Sequence, residues 1–397
     1  MSPQLAILGG RPTFAQPMPG RAGFFPARER FVAAFAGIFE RQYYTNQGPL
    51  AAALERRLAE RLEVRHAICV TNGTVGLMMA AEALGLKGRI VLPAAAPAAP
   101  AVALGWAGLE PVFCDIDAAR LQMTADTVAE ALDRADGDAI AAALGVNLWG
   151  GAGDPPGLAA LAEARGLAFL SDSAHGFGCA VAGTPLGGFG RAEVFSFGPG
   201  KIVTATEGGC VTTNDDELAA RLRNIRSSYG AGRPVSVVRT ANGRMSEAQA
   251  AVALLSLDDF EANRRHNLAL RCAYEEGLRG IPGIGLVEPA GVSTSNHHYV
   301  IARLDAAAFG MGAAALAEVL AAENIGARLL IAAGLHRSFP WGAADRPAAR
   351  LPGTDAAAAS SLCLPTGAAV SIEAVARICE AIAHAQRTAP AIRARRE

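Results

Sequence analysis

Between about residues 51 and 214, short apolar runs without internal alternation are separated by segments of helical spacing. HAICVT precedes the helical GTVGLMMAAEAL, GRIVLP and EPVFCDI follow, and AIAAALGVNLW leads through PPGLAALAEARG into LAFLSDSA. Continuous apolar runs alternating with helices predict a mainly parallel sheet covered on both faces. Ligands collect at the carboxyl ends of such strands, so polar residues just after each run are the candidates for chemistry. The stretch MSEAQAAVALLSLDDFEANRRHNLALRCAYEEGL reads as long helical structure, and NHHYVIARL, GAAALAEVLAAEN and SIEAVARICEAIAHAQ predict a strand and two helices beyond it. The first fifty residues, punctuated by Pro and Gly around ERFVAAFAGIFERQ, predict an arm lying over the main body. The expected division is an N-terminal arm (1–50), a large domain (51–245), connecting helices (246–284) and a small C-terminal α/β domain (285–397). The end, RTAPAIRARRE, is expected to fray.

Composition narrows the class. The 397 residues are 51% hydrophobic and 18% charged, much of the apolar share being alanine. No run approaches the ~20 apolar residues of a membrane span, and MSPQLAILGGRPTF lacks the layout of a signal peptide. A net charge of −1 without acidic or basic blocks argues against nucleic acid or an anionic membrane as partner. Seven scattered cysteines form no CxxC pair, which predicts buried reduced thiols in a cytoplasmic protein and no metal site.

One residue type is nearly missing. Of 36 basic residues, only Lys87 and Lys201 are lysines. Lys201 stands in EVFSFGPGKIVTATEGG. A phosphate-binding P-loop would need Gly where Phe195 stands and Ser or Thr where Ile202 stands, and GFGCAVAG lacks dinucleotide-fingerprint spacing. A Schiff-base lysine remains: an amine attacks an aldehyde only when unprotonated, which arginine cannot be. Taken alone, Lys201 divides evenly between that role and an incidental surface lysine. LAFLSDSAHGFG adds Asp172 at the tip of a buried strand, where a carboxylate needs a cationic partner such as a pyridinium nitrogen, and His175 three residues on. TNGTVGL places Gly73, Thr74 and Val75 at a strand-to-helix turn suited to a phosphate, with Ser196 a further donor. Each feature alone is more often an ordinary cap or core residue. Their combination points to pyridoxal 5'-phosphate (PLP).

On these motifs the chain resembles the PLP-dependent nucleotide-sugar aminotransferases of the DegT/StrS family. YYTNQGPLAAALERRLAERL, VTNGTVGLMMA, SDSAHGFG, FSFGPGKIVTATEGG, NGRMSEAQAA and a late loop, LCLPTG, carry the likeness. NLWGG, GLHRSFPW and LCLPTG are most similar to the branch making dTDP-4-amino-4,6-dideoxyglucose (viosamine-type) sugars. The resemblance implies a type I PLP-transferase (aspartate aminotransferase-like) α/β fold. It implies that Lys201 forms the imine and shuttles a proton, that Asp172 pairs with the ring nitrogen and that His175 contacts the ring hydroxyl. Gly73, Thr74, Val75 and Ser196 would hold the phosphate, with Asn242 reaching the phosphate of a neighbouring subunit in a homodimer. The implied reaction moves an amino group from L-glutamate, released as 2-oxoglutarate, to a nucleotide-linked 4-keto-6-deoxyhexose, serving polysaccharide or metabolite biosynthesis.

The pattern breaks at substrate-facing positions. Ala96 and Pro97 replace a Thr and a ring-stacking aromatic, Gly198-Pro199-Gly200 replaces His-Ala-Thr, Leu329 and Leu330 replace a polar aromatic stretch, and a His expected near Asn147 is missing. Two other functions therefore stand beside the first: amination of another ketone, such as a cyclitol or an unactivated keto sugar, and a non-catalytic regulatory role.

Overall fold

The computed structural model describes residues 4–135, 139–227, 232–338 and 349–396. The arm carries strand β1 (Arg21–Ala22) and helix α1 (Arg28–Arg41), and α2 (Pro49–Arg61) opens the main body. Strands and helices then alternate: β2 (His66–Val70), α3 (Gly73–Ala83), β3 (Gly88–Pro93), α4 (Ala98–Trp106), β4 (Leu109–Cys114), α5 (Ala125–Arg134), β5 (Ile140–Val146), α6 (Pro155–Ala164) and β6 (Ala168–Asp172). A small hairpin, β7 (Ala180–Val181) and β8 (Thr184–Pro185), precedes β9 (Ala192–Ser196), β10 (Gly209–Thr213) and α7 (Asp216–Arg226).

Seven of these strands form one sheet in the order β2-β10-β9-β6-β5-β3-β4. All neighbours are parallel except β10, which runs antiparallel to both β2 and β9. The apolar runs form strands because helices cover both faces: Ile68, Ile90, Leu144 and Leu170 are wholly buried in one core, and Val91 and Cys114 in another. The carboxyl ends of β2, β3, β5, β6 and β9 consequently share one edge of the sheet.

The long helical stretch is two helices, α8 (Glu247–Asp258) and α9 (Phe260–Leu278), meeting at Asp259. Ser246 and Gln249 close a capping box at the start of α8, which satisfies its first free amides. A second, four-stranded antiparallel sheet follows. It is ordered β11-β12-β14-β13, from β11 (Ile284–Leu286), β12 (Val300–Leu304), β13 (Arg328–Leu329) and β14 (Ser361–Leu364). Helices α10 (Ala306–Phe309), α11 (Ala313–Ala322) and α12 (Pro352–Ser360) lie among these strands, and α13 (Ile372–Arg387) follows them. Its core is separate, built on Phe309, Leu316, Val300, Leu362 and Ile378.

Two expectations are corrected here. LCLPTG is no loop: it supplies most of β14 and then β15 (Thr366–Gly367), because β12 and β13 offer it partners on both edges. RTAPAIRARRE, where described, does not fray, since Ala389–Arg396 form helix α14, anchored by Ala389 and Ile392 buried against the C-terminal core; Glu397 lies outside the described residues. Part of GLHRSFPW, residues 339–341, lies outside the described residues.

The arm is tied to the far end of the chain. β1 pairs in parallel with β15, Arg21 opposite Thr366, and the Met18 amide donates to the Asn324 carbonyl at 2.8 Å. The two domains are also latched by Asp115, just past β4, whose carboxylate accepts from the Gly353 and Thr354 amides at 2.8 and 2.7 Å and from the Thr354 hydroxyl at 2.8 Å.

Candidate active site

Lys201 sits in the loop joining β9 to β10. Its amide donates to the Gly198 carbonyl at 3.2 Å, and the Phe197 amide to the Gly208 carbonyl at 2.8 Å. The Gly-Pro-Gly sequence has a local reason. Gly200 adopts φ +74°, a left-handed conformation that a side chain resists, and a Cβ there would come within 3.1 Å of Arg21 Nε. The Gly200 carbonyl meets His298 Nε2 at 2.6 Å, which pins the loop to the second domain. Burial, then the nearby Arg21, bring the Lys201 amine down from 10.5 to about 8, with Asp172 pulling the other way. A substantial fraction is thus the neutral nucleophile near pH 8.

Asp172 ends β6 and faces the same cleft. Burial raises its pKa, against the Ala174 amide, which donates to Oδ1 at 2.9 Å, and the Lys201 charge. No arginine or lysine lies within ion-pair distance of it among the described residues, so a buried carboxylate stands without a cation. Below it the Ser173 hydroxyl donates to Glu193, and Asn147 Nδ2 donates to Ser173 Oγ at 2.8 Å. Burial lifts Glu193 to about 7, so this buried polar strut fixes the end of β6 from beneath.

His175 is buried and held neutral by that burial and by the surrounding cations. Its Nδ1 is buried without a hydrogen-bond partner, and its ring lies 4.5 Å from Tyr299 and 5.5 Å from Trp149. At the opposite wall, Asn72 caps α3 by accepting from the Val75 amide at 2.8 Å. The Val75 amide, expected to hold phosphate, is therefore occupied by the cap. Gly73 packs over Ser196, where a Cβ would sit 3.1 Å from the serine's own Cβ.

These groups converge on one cleft of about 840 Å³. Gly73, Thr74, Asp172, His175, Ser196 and Lys201 line it together; Val75 and Asn242 do not. Asn242 is exposed, with φ +47°, beside the segment whose Arg244 bridges to Val70. Most departures noted in the sequence are also there: Ala96, Pro97, Asn147, Leu329 and Leu330 border the cleft, whereas Gly198-Pro199-Gly200 does not line it. Sequence reasoning missed Arg21, Trp149, Tyr299 and Arg328, which line it as well. Trp149 stands within NLWGG and Tyr299 within NHHYVIARL, but neither stretch marks a cleft residue by itself, and the four arrive from separate segments.

The cleft fits a phosphorylated pyridine aldehyde on its own chemistry. A carboxylate lacks its cation, an imidazole nitrogen lacks its partner, a glycine leaves an opening at a helix start, and the only lysine nearby is partly neutral.

The sequence profile of the DegT/DnrJ/EryC1/StrS aminotransferase family matches residues 27–383. A dTDP-4-amino-4,6-dideoxy-D-glucose transaminase from Shigella dysenteriae is 30% identical over 275 residues, covering 69% of this chain and 74% of the relative. An L-glutamine:2-deoxy-scyllo-inosose aminotransferase from Streptomyces paromomycinus is 31% identical over 349 residues, covering 81% of this chain and 80% of the relative. The crystal structure of DesI, determined in the presence of its TDP-sugar product, superposes with a TM-score of 0.92 at 37% identity, covering 99% of this chain and 98% of DesI. The α/β type I fold expected from the sequence is the one observed. Among the described residues no helix is long and apolar enough to cross a membrane.

Proposed function

Because the chain belongs to the DegT/DnrJ/EryC1/StrS aminotransferase family, we propose that it is a PLP-dependent transaminase moving an amino group from L-glutamate to a nucleotide-linked 4-keto-6-deoxyhexose. The observation that carries this reading is Lys201 and a buried carboxylate, Asp172, without an ion-pair partner, facing one cleft. When bound, PLP supplies an aldehyde and a protonated ring that draws electrons from the carbon being deprotonated.

The chain's own residues then divide the work. Asp172 would keep the proton on the ring nitrogen, and that ion pair would relieve its buried charge. His175, neutral, offers its free Nδ1 to the ring hydroxyl. The Gly73 and Thr74 amides at the start of α3 and the Ser196 hydroxyl hold the phosphate. Lys201, with PLP bound, would be the group placed to take the proton from the donor's Cα and to hold it for return to the reacting centre. Water is kept out by the apolar wall of the 329–333 segment, Leu-Leu-Ile-Ala-Ala.

That wall also favours one acceptor. A 6-deoxyhexose presents a methyl group, which gains from apolar contact, whereas a cyclitol presents hydroxyls that the wall leaves unpaired. The second reading, a keto cyclitol, is supported by the name and coverage of the Streptomyces paromomycinus relative. A homodimer is supported by the exposed apolar residues Phe25, Val32, Phe39 and Tyr44 on and around α1, and would let Asn242 approach a partner's phosphate.

The test incubates purified protein with PLP, L-glutamate and either dTDP-, UDP- or GDP-4-keto-6-deoxyhexose or a keto cyclitol, and follows mass change. Amination of a nucleotide sugar, lost in Lys201→Ala together with the visible absorption of the bound cofactor, is the expected result. Amination of the cyclitol alone replaces the first reading by the second.

A further inference from the structure

Two arginines in the cleft have no role in the reading above. Arg21 comes from the arm and Arg328 from β13, and close backbone approach brings them together. A Cβ on Gly20 would meet the Gly326 carbonyl oxygen at 2.1 Å, and one on Gly326 the Gly20 nitrogen at 2.4 Å. Only two glycines permit this crossing, and Arg21 and Arg328 leave it one and two residues later. Both border the main cleft and a side hollow of about 450 Å³, so they stand on the boundary between the two.

Neither has an ionic partner within ion-pair distance among the described residues. Arg21 donates to the Tyr299 hydroxyl and packs 4.9 Å from that ring, yet its Nε is buried with no hydrogen-bond partner. Tyr299 in turn lies against His175, ring centroids 4.5 Å apart, which sets Arg21 on the His175 side of the cleft. Both charges depress the Lys201 amine.

We propose that Arg21 and Arg328 together form the anion site that takes the α-carboxylate of the amino donor. The inference rests on the aminotransferase reading. Proximity to Lys201 decides which anion is meant. In an α-amino acid the carboxylate is one bond from the carbon that Lys201 deprotonates. In a nucleotide sugar the diphosphate is attached at C1, with the hexose ring between it and the keto carbon. A planar guanidinium fork matches a carboxylate and remains charged beside a lysine that must not be.

The experiment measures 2-oxoglutarate binding to the purified holoenzyme by calorimetry, with steady-state KM values for L-glutamate and for the keto sugar. Arg21→Gln and Arg328→Gln should each weaken 2-oxoglutarate binding about tenfold or more. The KM for L-glutamate should rise in parallel and that for the sugar stay within about twofold. Arg21→Lys and Arg328→Lys, which keep the charge but lose the fork, should fall between; they carry the measurement if a glutamine variant does not fold. Unchanged 2-oxoglutarate affinity, or equal losses for donor and sugar, overturns the assignment. Failure to aminate any nucleotide sugar overturns only the acceptor reading, since the calorimetry needs no acceptor.

Discussion

Replacing Lys201 by methionine should stabilise the cofactor-free protein. Burial, reinforced by Arg21 and Arg328 and opposed by Asp172, moves the amine from 10.5 down to about 8. A displacement of that size corresponds to roughly 3 kcal/mol. Below about pH 8 the amine is charged in both folded and unfolded chains, and the full penalty on the folded state is present. Between about 8 and 10.5 the folded chain has released the proton while the unfolded chain keeps it. The unfolded state then binds more protons, so stability rises with pH across that window and the penalty is gone above it. Methionine retains an aliphatic stem and cannot titrate. The favourable effect of Asp172 is already contained in the lysine's displacement. Urea unfolding of cofactor-stripped wild type and Lys201→Met, at one protein concentration, should give a difference of roughly 3 kcal/mol at pH 7. Above about pH 8 that difference should shrink by roughly 1.4 kcal/mol per pH step. A difference that stays flat to pH 10, or a variant less stable at pH 7, refutes the reasoning.

Asp172→Asn should lower kcat by roughly a hundredfold or more, about 3 kcal/mol, yet leave the cofactor-free melting temperature unchanged or higher, because a buried carboxylate is gone; loss of both activity and fold would contradict this. Gly73→Val should raise the PLP concentration needed for half-loading by about tenfold, since its side chain must displace Ser196 from the cradle, and fluorescence titration reads it directly. Asp115→Ala should cost about 3 kcal/mol in urea unfolding, as the Gly353 and Thr354 amides and the Thr354 hydroxyl lose their acceptor. A cost under about 1 kcal/mol would mean that water replaces the latch.

The residues legible in the sequence were those whose chemistry is local. Asp172 and Ser196 stand at the ends of apolar runs, so the strand that positions each one also announces it. Lys201 stood out by rarity and by its glycine neighbours. Arg21, Tyr299 and Arg328 were invisible, because what makes them a site is the meeting of the arm, β12 and β13, which no spacing encodes. Val75 misled for a related reason: its turn was read correctly, but Asn72 claims its amide. LCLPTG misled because a run of four apolar or small residues becomes a strand only when neighbours approach from both sides.

The pairing of β1 with β15 has a consequence for biosynthesis. Arg21 is synthesised long before Thr366, yet each is the other's strand neighbour. A nascent chain therefore carries an unfinished cleft until Thr366 has emerged. Fragments ending before β13 would lack Arg328 and leave Arg21 without its strand partner, so prematurely terminated molecules hold a lysine that is less buried, has a less cationic neighbourhood and is harder to deprotonate.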